Sequence, residues 1–364
     1  MDTSAIEIQF DNEGNCHFCN EFLNRSYHII NKDKDLRDNE LLKLIETIKS
    51  KGKNKKYDCI IGVSGGVDSS WALLKAVELG LRPLAVHMDN NWDSELAQHN
   101  IANLVTKLNV DLYTHVINWK EYKGLMQAFF DADVVDIELL YDNAAFALCY
   151  NMASKHRVKY ILGGQNDSTE GLHMSIYWNW FKHDVKNIKA ISKAYNGPKL
   201  STFPSINTIQ YIWAEYIKKH NWLKFGNYFD FNKEIVLKEL KGKIGFREYP
   251  YKHYESVFTR FYQGYILPRK FSIDKRRGHL GALVVTGQMS RNDAIEELKK
   301  IPYPSEKDLE GDKQYFLKKM GWSADDLEDY INRPRREHGE FSSEKWFWDL
   351  MRIPYRKYIK RDNQ

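Results

Sequence analysis

The stretch YDCIIGVSGGVDSSWALLKAVELG, residues 57–80, sets the reading of the whole chain. Its first seven residues, 57–63, form an apolar β-rich run and predict a buried strand. SGGVDSS, Ser64 to Ser70, follows directly and opens a helix that runs through Trp71, Leu74 and Val77 and stops at Gly80. Glycine lets a backbone approach an anion closely, and the free N–H groups of a helix start point at it with the favourable end of the dipole. Val63, Gly65 and Gly66 thus outline a phosphate cradle, to which Ser64, Ser69 and Ser70 add hydroxyl donors. No lysine follows the glycines, so this is not the loop that reaches a γ-phosphate with G-x-x-x-x-G-K-[ST]. The plainer reading of the same residues is a polar strand-to-helix turn with an Asp/Ser cap.

Outward from this segment the pattern repeats. LRPLAVHM (81–88), VDLYTHVI (110–117) and VKYILGG (158–164) also read as buried strands, and 69–79, 94–107 and 138–156 as helices between them. Strands alternating with helices predict an α/β fold, a parallel sheet with helices on both faces. Ligands in such sheets sit beyond the carboxyl ends of the strands, which directs attention to the segments after Val63, Met88 and Gly164. At the second lie His87, Met88 and Asp89; His87 reads more readily as a core or sheet-edge histidine than as a catalytic one. At the third, Gly163 and Gly164 allow close backbone approach, and Gln165, Asn166 and Glu170 offer amides and a carboxylate to a ligand or metal. Here the alternative is a glycine turn with a helix cap. Before the sheet, residues 31–56 carry a helical stripe (Leu41, Leu44, Ile45, Ile48), stop at Gly52 and end in the basic run KSKGKNKK. The expected organisation is an N-terminal segment and linker helix over 1–55, a nucleotide domain over 56–200, and a helical, basic, substrate-binding region over 201–364.

Composition excludes several classes. The 364 residues are 43% hydrophobic and 28% charged, an ordinary globular balance. No run approaches the ~18 apolar residues of a membrane span, and the acidic start (Asp2, Glu7, Asp11) lacks a signal-peptide core. With four cysteines the chain is no disulfide scaffold, and a cytoplasmic location is expected. The formal net charge is +5, but residues 241–280 alone hold ten Lys/Arg against three acids, with nine Phe/Tyr among them. The rest of the chain is near neutral.

SGG-x-D-S after a first strand resembles the PP-loop family, ATP pyrophosphatases that cleave ATP between its α and β phosphates. The resemblance implies that Asp68 approaches Mg²⁺ and that the second strand end holds adenosine. Further motifs are more specific. MDTSAIEIQFDNEGNCHFC at the start, GGQNDSTEG (163–171), GFREYPYKHYES, KHYESVFTRFYQGYILPRKFSIDKRRGHL (252–280) and VVTGQMSRNDAI (284–295) resemble, in the same order, the N-acetyl sugar amidotransferase family of O-antigen and pseudaminic or legionaminic acid pathways. That resemblance covers roughly residues 1–320. It implies an ATP- and Mg²⁺-dependent conversion of a sugar acetamido group to an acetamidino group through an adenylated imidate. In this reading Asp68, Lys252, Arg260 and Lys275 are catalytic, and Lys270 and Arg276 meet phosphate or an acidic sugar with His253, Glu255 and Gln263. The plainer account of the block is a solvated basic helix face.

Ammonia needs a source. Position 2 is Asp2, not the cysteine of an amino-terminal glutaminase, and Cys59 and Cys149 lack the flanking glycines of a nucleophile elbow. The resemblance therefore implies a separate glutaminase partner of the histidine-biosynthesis type. Cys16-x-x-Cys19 has zinc-knuckle spacing but supplies half of a four-ligand site; family members usually carry an earlier C-x-x-C, and His17 and His28 are the local substitutes. The rival reading is a PP-loop tRNA-modifying enzyme, a thiolase or lysidine-type synthetase, with the basic block as its RNA surface. A nucleotide-binding sensor with a degenerate catalytic half is a third. The first is preferred, without a nucleic-acid or membrane partner, because no cysteine is placed to carry sulfur and Asp68 and the block are intact. Residues 321–364, with Trp322, Trp346 and Trp348, read as helical packing or a partner surface.

Overall fold

The computed structural model describes residues 1–251 and 253–354. Its centre is a five-stranded, all-parallel sheet: β1 Cys59–Gly62, β2 Pro83–Asp89, β3 Leu112–Val116, β4 Tyr160–Gly163 and β5 Asn221–Lys224, in the order β3-β2-β1-β4-β5. Alternate residues of β1 face two different cores. Ile60, with Leu84 and Val86 of β2, packs against Ala144, Ala147 and Leu148 of the helix Leu139–Lys155. Cys59, Ile61 and Val63 join Trp71 and Leu74 of the helix Val67–Glu78 and the stripe Leu41, Ile45, Ile48 of the helix Lys34–Gly52. Period-two alternation with both faces covered is what makes these strands continuously apolar in sequence. The expected α/β fold is therefore the observed one.

Two strands differ from expectation. β3 is an edge strand with an alternating, half-exposed pattern, and Val116 is 64% exposed, so 110–117 is not a buried strand. β5 arises where the strand signal fades: NWLK is four residues long and lies at the other edge, where pairing with β4 through main-chain groups needs no apolar run. A helix over Trp119–Asp131, also unanticipated, buries Tyr122, Leu125, Met126, Phe129 and Phe130. Chain order reverses at β1, so the crevice between the ends of β1 and β4 is the topological switch point.

The second half packs onto the rim of this crevice. Ser94 N donates to Glu255 O at 2.8 Å and Val257 N to Trp92 O at 2.8 Å, stitching the segment 255–257 to the loop after β2. The helix Val257–Phe261, continued as a π-helix over Tyr262–Phe271, inserts Phe258, Phe261 and Tyr262 among Trp92, Phe130 and Phe316. Trp322, Leu327 and Tyr330 close the same cluster, so this part of 321–364 is packing. Among the described residues no helix is long and apolar enough to cross a membrane.

Candidate active site

A cavity of about 890 Å³ opens at the carboxyl ends of the strands. Its floor is the SGG loop. Ser64 Oγ and Ser69 Oγ lie 3.3 Å apart, Gly66 N donates to Ser64 Oγ and Ser69 Oγ to Gly66 O, each at 3.3 Å, so the loop is braced by its own hydroxyls. Gly66 caps the helix Val67–Glu78 without a side-chain partner for the first turn, leaving those N–H groups to the cavity side. Gly65 has φ +79°, and a Cβ there would stand 2.7 Å from Ala97 O. A Cβ on Gly164 would meet Asp68 C at 2.5 Å, so only glycine lets the β4 turn close against the start of the phosphate-loop helix.

Val63, Ser64, Gly66, Asp68, Ser69, Met88, Gly163, Gly164, Gln165 and Glu170 line the cavity. On the opposite wall stand His253, Glu255, Arg260, Gln263, Lys275 and Arg276. A Cβ placed on Gly66 would lie 3.5 Å from Glu255 Oε1, which sets that carboxylate directly over the phosphate loop. His253 Nδ1 is 3.6 Å from the same oxygen and His253 Nε2 3.4 Å from His279 Nε2.

Other candidate residues have their side chains engaged elsewhere. Gly65 turns to Ala97 and Tyr249, whose hydroxyl donates to its carbonyl at 2.9 Å. Ser70 is fully buried under the loop, its hydroxyl without a protein partner. Asn166 is the helix cap, accepting from Thr169 N at 2.9 Å and Thr169 Oγ1 at 3.1 Å, and is buried. His87 lies under the floor between Val63 O (2.9 Å) and Asp93 Oδ2 (3.0 Å). Burial pulls its pKa down, but the bond to Asp93 and that carboxylate's charge outweigh it and hold the imidazole above its ordinary value. Burial also holds Asp93 above the usual carboxylate range, so the pair keeps a proton between them. Asp89 is spent on a turn, accepting from Asn91 N at 2.8 Å. Lys270 points away from the cavity to Asp133 Oδ1 (2.9 Å), Tyr330 O (2.6 Å) and Arg333 O (2.8 Å). Lys252 lies outside the described residues.

The basic block is not a free reservoir of positive charge. Arg260 grips Asp312 through Nε (2.5 Å) and Nη2 (2.6 Å). Arg276 holds Asp274 and donates to Glu297 O (3.1 Å) and Lys300 O (3.0 Å), capping the helix Arg291–Lys299. Lys275 Nζ sits on Glu138 Oε2 at 2.7 Å, and Gln263 Nε2 on the same carboxylate at 2.9 and 3.0 Å. Each of these four cations, Lys270 included, has recruited an acid, three of the acids (Asp312, Glu138, Asp133) from well outside the block. Such pairs are demanding to bury and hold only when geometry is good.

Glu138, Tyr141, Asp142, Asp93, Asn179 and Lys182 complete the wall and were not anticipated. Lys182 bridges Asp136 (2.7 Å) and Asp142 (2.8 Å). Burial pushes Asp136 up, but Lys182 and Lys275 outweigh it and its pKa is lowered; Asp142 is raised, burial being the larger cause. Glu138 and Asp142 were detectable in principle, being acids four apart at the mouth of an otherwise apolar helix. Lys182 comes from a loop and carries no local signal.

Mg²⁺ takes one or two carboxylates and completes its shell with phosphate oxygens and water. Asp68 and Glu170, both on the cavity, fit that requirement. Zinc does not fit. Cys16 Sγ and Cys19 Sγ are 3.3 Å apart, but among the described residues no three His, Cys, Asp or Glu side chains gather as a metal site. His17 Nδ1 is engaged as acceptor of Gln9 N at 3.0 Å, and burial beside Cys16 pushes the Cys19 thiol up to about 11.

Residues 255–355 match the family of LPS biosynthesis proteins, WbpG-like, C-terminal domain. No curated protein matches the chain. Among solved structures it is similar to NMN synthetase from Francisella tularensis, at 14% identity over 59% of this chain and 98% of that one, with a TM-score of 0.31. It is also similar to NH3-dependent NAD synthetase from Campylobacter jejuni, at 19% identity over 57% and 93%, with a TM-score of 0.29. The match over 255–355 agrees with the surface-sugar family that the motifs resemble, and it covers the wall facing the phosphate loop.

Proposed function

We propose that the protein is an ATP-dependent amidotransferase that converts the acetamido group of a bacterial surface sugar to an acetamidino group, releasing AMP and pyrophosphate. The observation carrying this reading is a cavity whose floor is an open-ended SGG loop and whose opposite wall belongs to a WbpG-like domain. Ammonia would come from a separate glutaminase of the histidine-biosynthesis type. In the first step the amide oxygen attacks the α-phosphorus, the bond to the bridging oxygen of pyrophosphate breaks, and an O-adenylyl imidate remains. Ammonia then adds to the imidate carbon, nitrogen loses a proton and AMP departs.

The residues divide this work. Main-chain N–H groups of the helix turn after Gly66 would meet the leaving pyrophosphate, as fixed dipoles that need no reorganisation. Mg²⁺, held by Asp68 and Glu170, would neutralise charge on that leaving group. We assign the base that takes the proton from nitrogen to the His253–His279 pair at the cavity wall.

The tRNA reading has less support. The cations it would use are paired inward, and burial pushes the Cys149 thiol up to about 12, so that sulfur is held as thiol. The test is incubation with ATP, Mg²⁺, ammonium and a panel of acetamido sugars. AMP and pyrophosphate should form only with a sugar, together with a basic product; turnover that requires tRNA would reject the proposal. Asp68→Ala should lower AMP formation by on the order of 10²-fold or more, and an unchanged rate would remove Asp68 from the site.

A further inference from the structure

The edge of the sheet opposite the cavity, where β1, β4 and β5 begin, is a basic surface that the reaction does not use. Lys51 and Lys55 lie before β1, Lys155 and Lys159 before β4, and Lys218 before β5. Lys159 Nζ donates to Lys218 O at 2.5 Å and Lys218 Nζ to Ser154 Oγ at 3.3 Å, so these segments are contiguous. Burial and then the charges of Lys159 and Lys51 hold Lys55 below the ordinary ammonium range. Acids are few there: Asp58 is buried against Arg82 at 2.6 Å, and Asp111 is held by Lys56 at 2.8 Å.

Apolar side chains stand beside these lysines. The helical segment Thr208–Ile217 runs toward this edge, turns Trp213 and Ile217 outward, 55% and 59% exposed, and leads straight into exposed Lys218 and Lys219. Tryptophan and isoleucine flanked by lysine match the interface of an anionic membrane, where apolar groups enter the acyl boundary and cations meet lipid phosphate. A nucleic acid would use the lysines but gives the exposed isoleucine nothing to enter.

We propose that this edge docks peripherally on an anionic lipid bilayer, with Trp213 and Ile217 entering the interface and the surrounding lysines meeting headgroup phosphates. Docking on this side leaves the cavity, at the other ends of the strands, facing water. Each lysine near such a surface is worth about fivefold in partitioning.

The test is sedimentation of the full chain with vesicles of phosphatidylcholine alone and of phosphatidylcholine mixed with phosphatidylglycerol. Binding is expected to the mixed vesicles only, and to fall as salt is raised. Lys51→Glu/Lys218→Glu should lower partitioning at least about tenfold, and Trp213→Ser/Ile217→Ser should lower it as well, with AMP formation unchanged in both. Should a variant fold poorly, the unmodified chain still decides the matter through quenching of its tryptophan fluorescence by brominated lipid in the mixed vesicles. Absence of quenching, absence of binding, or equal binding to neutral vesicles would overturn the proposal. So would retention of a single-stranded RNA that depends on Lys51 and Lys218 but not on Trp213.

Discussion

Two basic regions of this chain, one contiguous in sequence and one assembled by the fold, differ in how their charges are paired. Residues 241–280 carry ten Lys/Arg, yet Arg260, Lys270, Lys275 and Arg276 are each locked to a carboxylate. The lysines at the starting edge of the sheet are fewer but crowd one another, and two acids beside them, Asp58 and Asp111, are held by Arg82 and Lys56. Local charge density therefore says little about available charge. What matters is whether acids from elsewhere in the chain arrive beside the cations, and for Arg260 the partner is 52 residues away and for Lys275 it is 137.

The strongest way to break this comparison is Arg260→Ala. It leaves Asp312, 7% exposed, without its partner, and should cost about 3 kcal/mol with a lowered thermal midpoint and a nearly unchanged rate of AMP formation. Lost activity at unchanged stability would return Arg260 to the substrate and dissolve the contrast.

Acid probes the same paired side. His338 Nε2 accepts from Asp136 N at 3.2 Å, next to the Lys182 network, and burial holds its pKa down at about 4. The unfolded chain, with an ordinary histidine, binds a proton between about pH 6.5 and 4 that the fold refuses. Stability should therefore fall as pH is lowered through that window, by on the order of 1 kcal/mol per pH unit for this group. Denaturant midpoints across pH would show it, and His338→Gln should flatten the slope; a midpoint flat from pH 6.5 to 4 would contradict it.

The smallest effect belongs to the crowded edge. Lys55→Gln removes a charge that Lys51 and Lys159 oppose, and should raise stability by a few tenths of a kcal/mol in a urea titration. Destabilisation would mean that the edge is paired after all, like the block around Arg260.

The sheet and its phosphate loop were legible because they rest on local rules. Apolar runs of strand length, glycine at Gly65 where φ is +79°, and a helix that starts on the serines are properties of neighbours in sequence. The residues missed share the opposite property. β5 has too few apolar side chains to announce itself, since main-chain pairing at an edge makes it a strand. Asn166 could cap a helix or hold a ligand, and only its contact with Thr169 decides for the cap. His87 and Lys270 carry the right functional groups and turn them to Asp93 and Asp133.

The sequence alone thus determined the central strands β1, β2 and β4, the helix after the phosphate loop, and where an anion can approach the backbone, because steric and hydrogen-bonding preferences act over a few residues. Tertiary structure alone decided which charges remain available. An ion pair depends on distance in space and on burial, and residues as far apart as Glu138 and Lys275 acquire both only when the chain has folded.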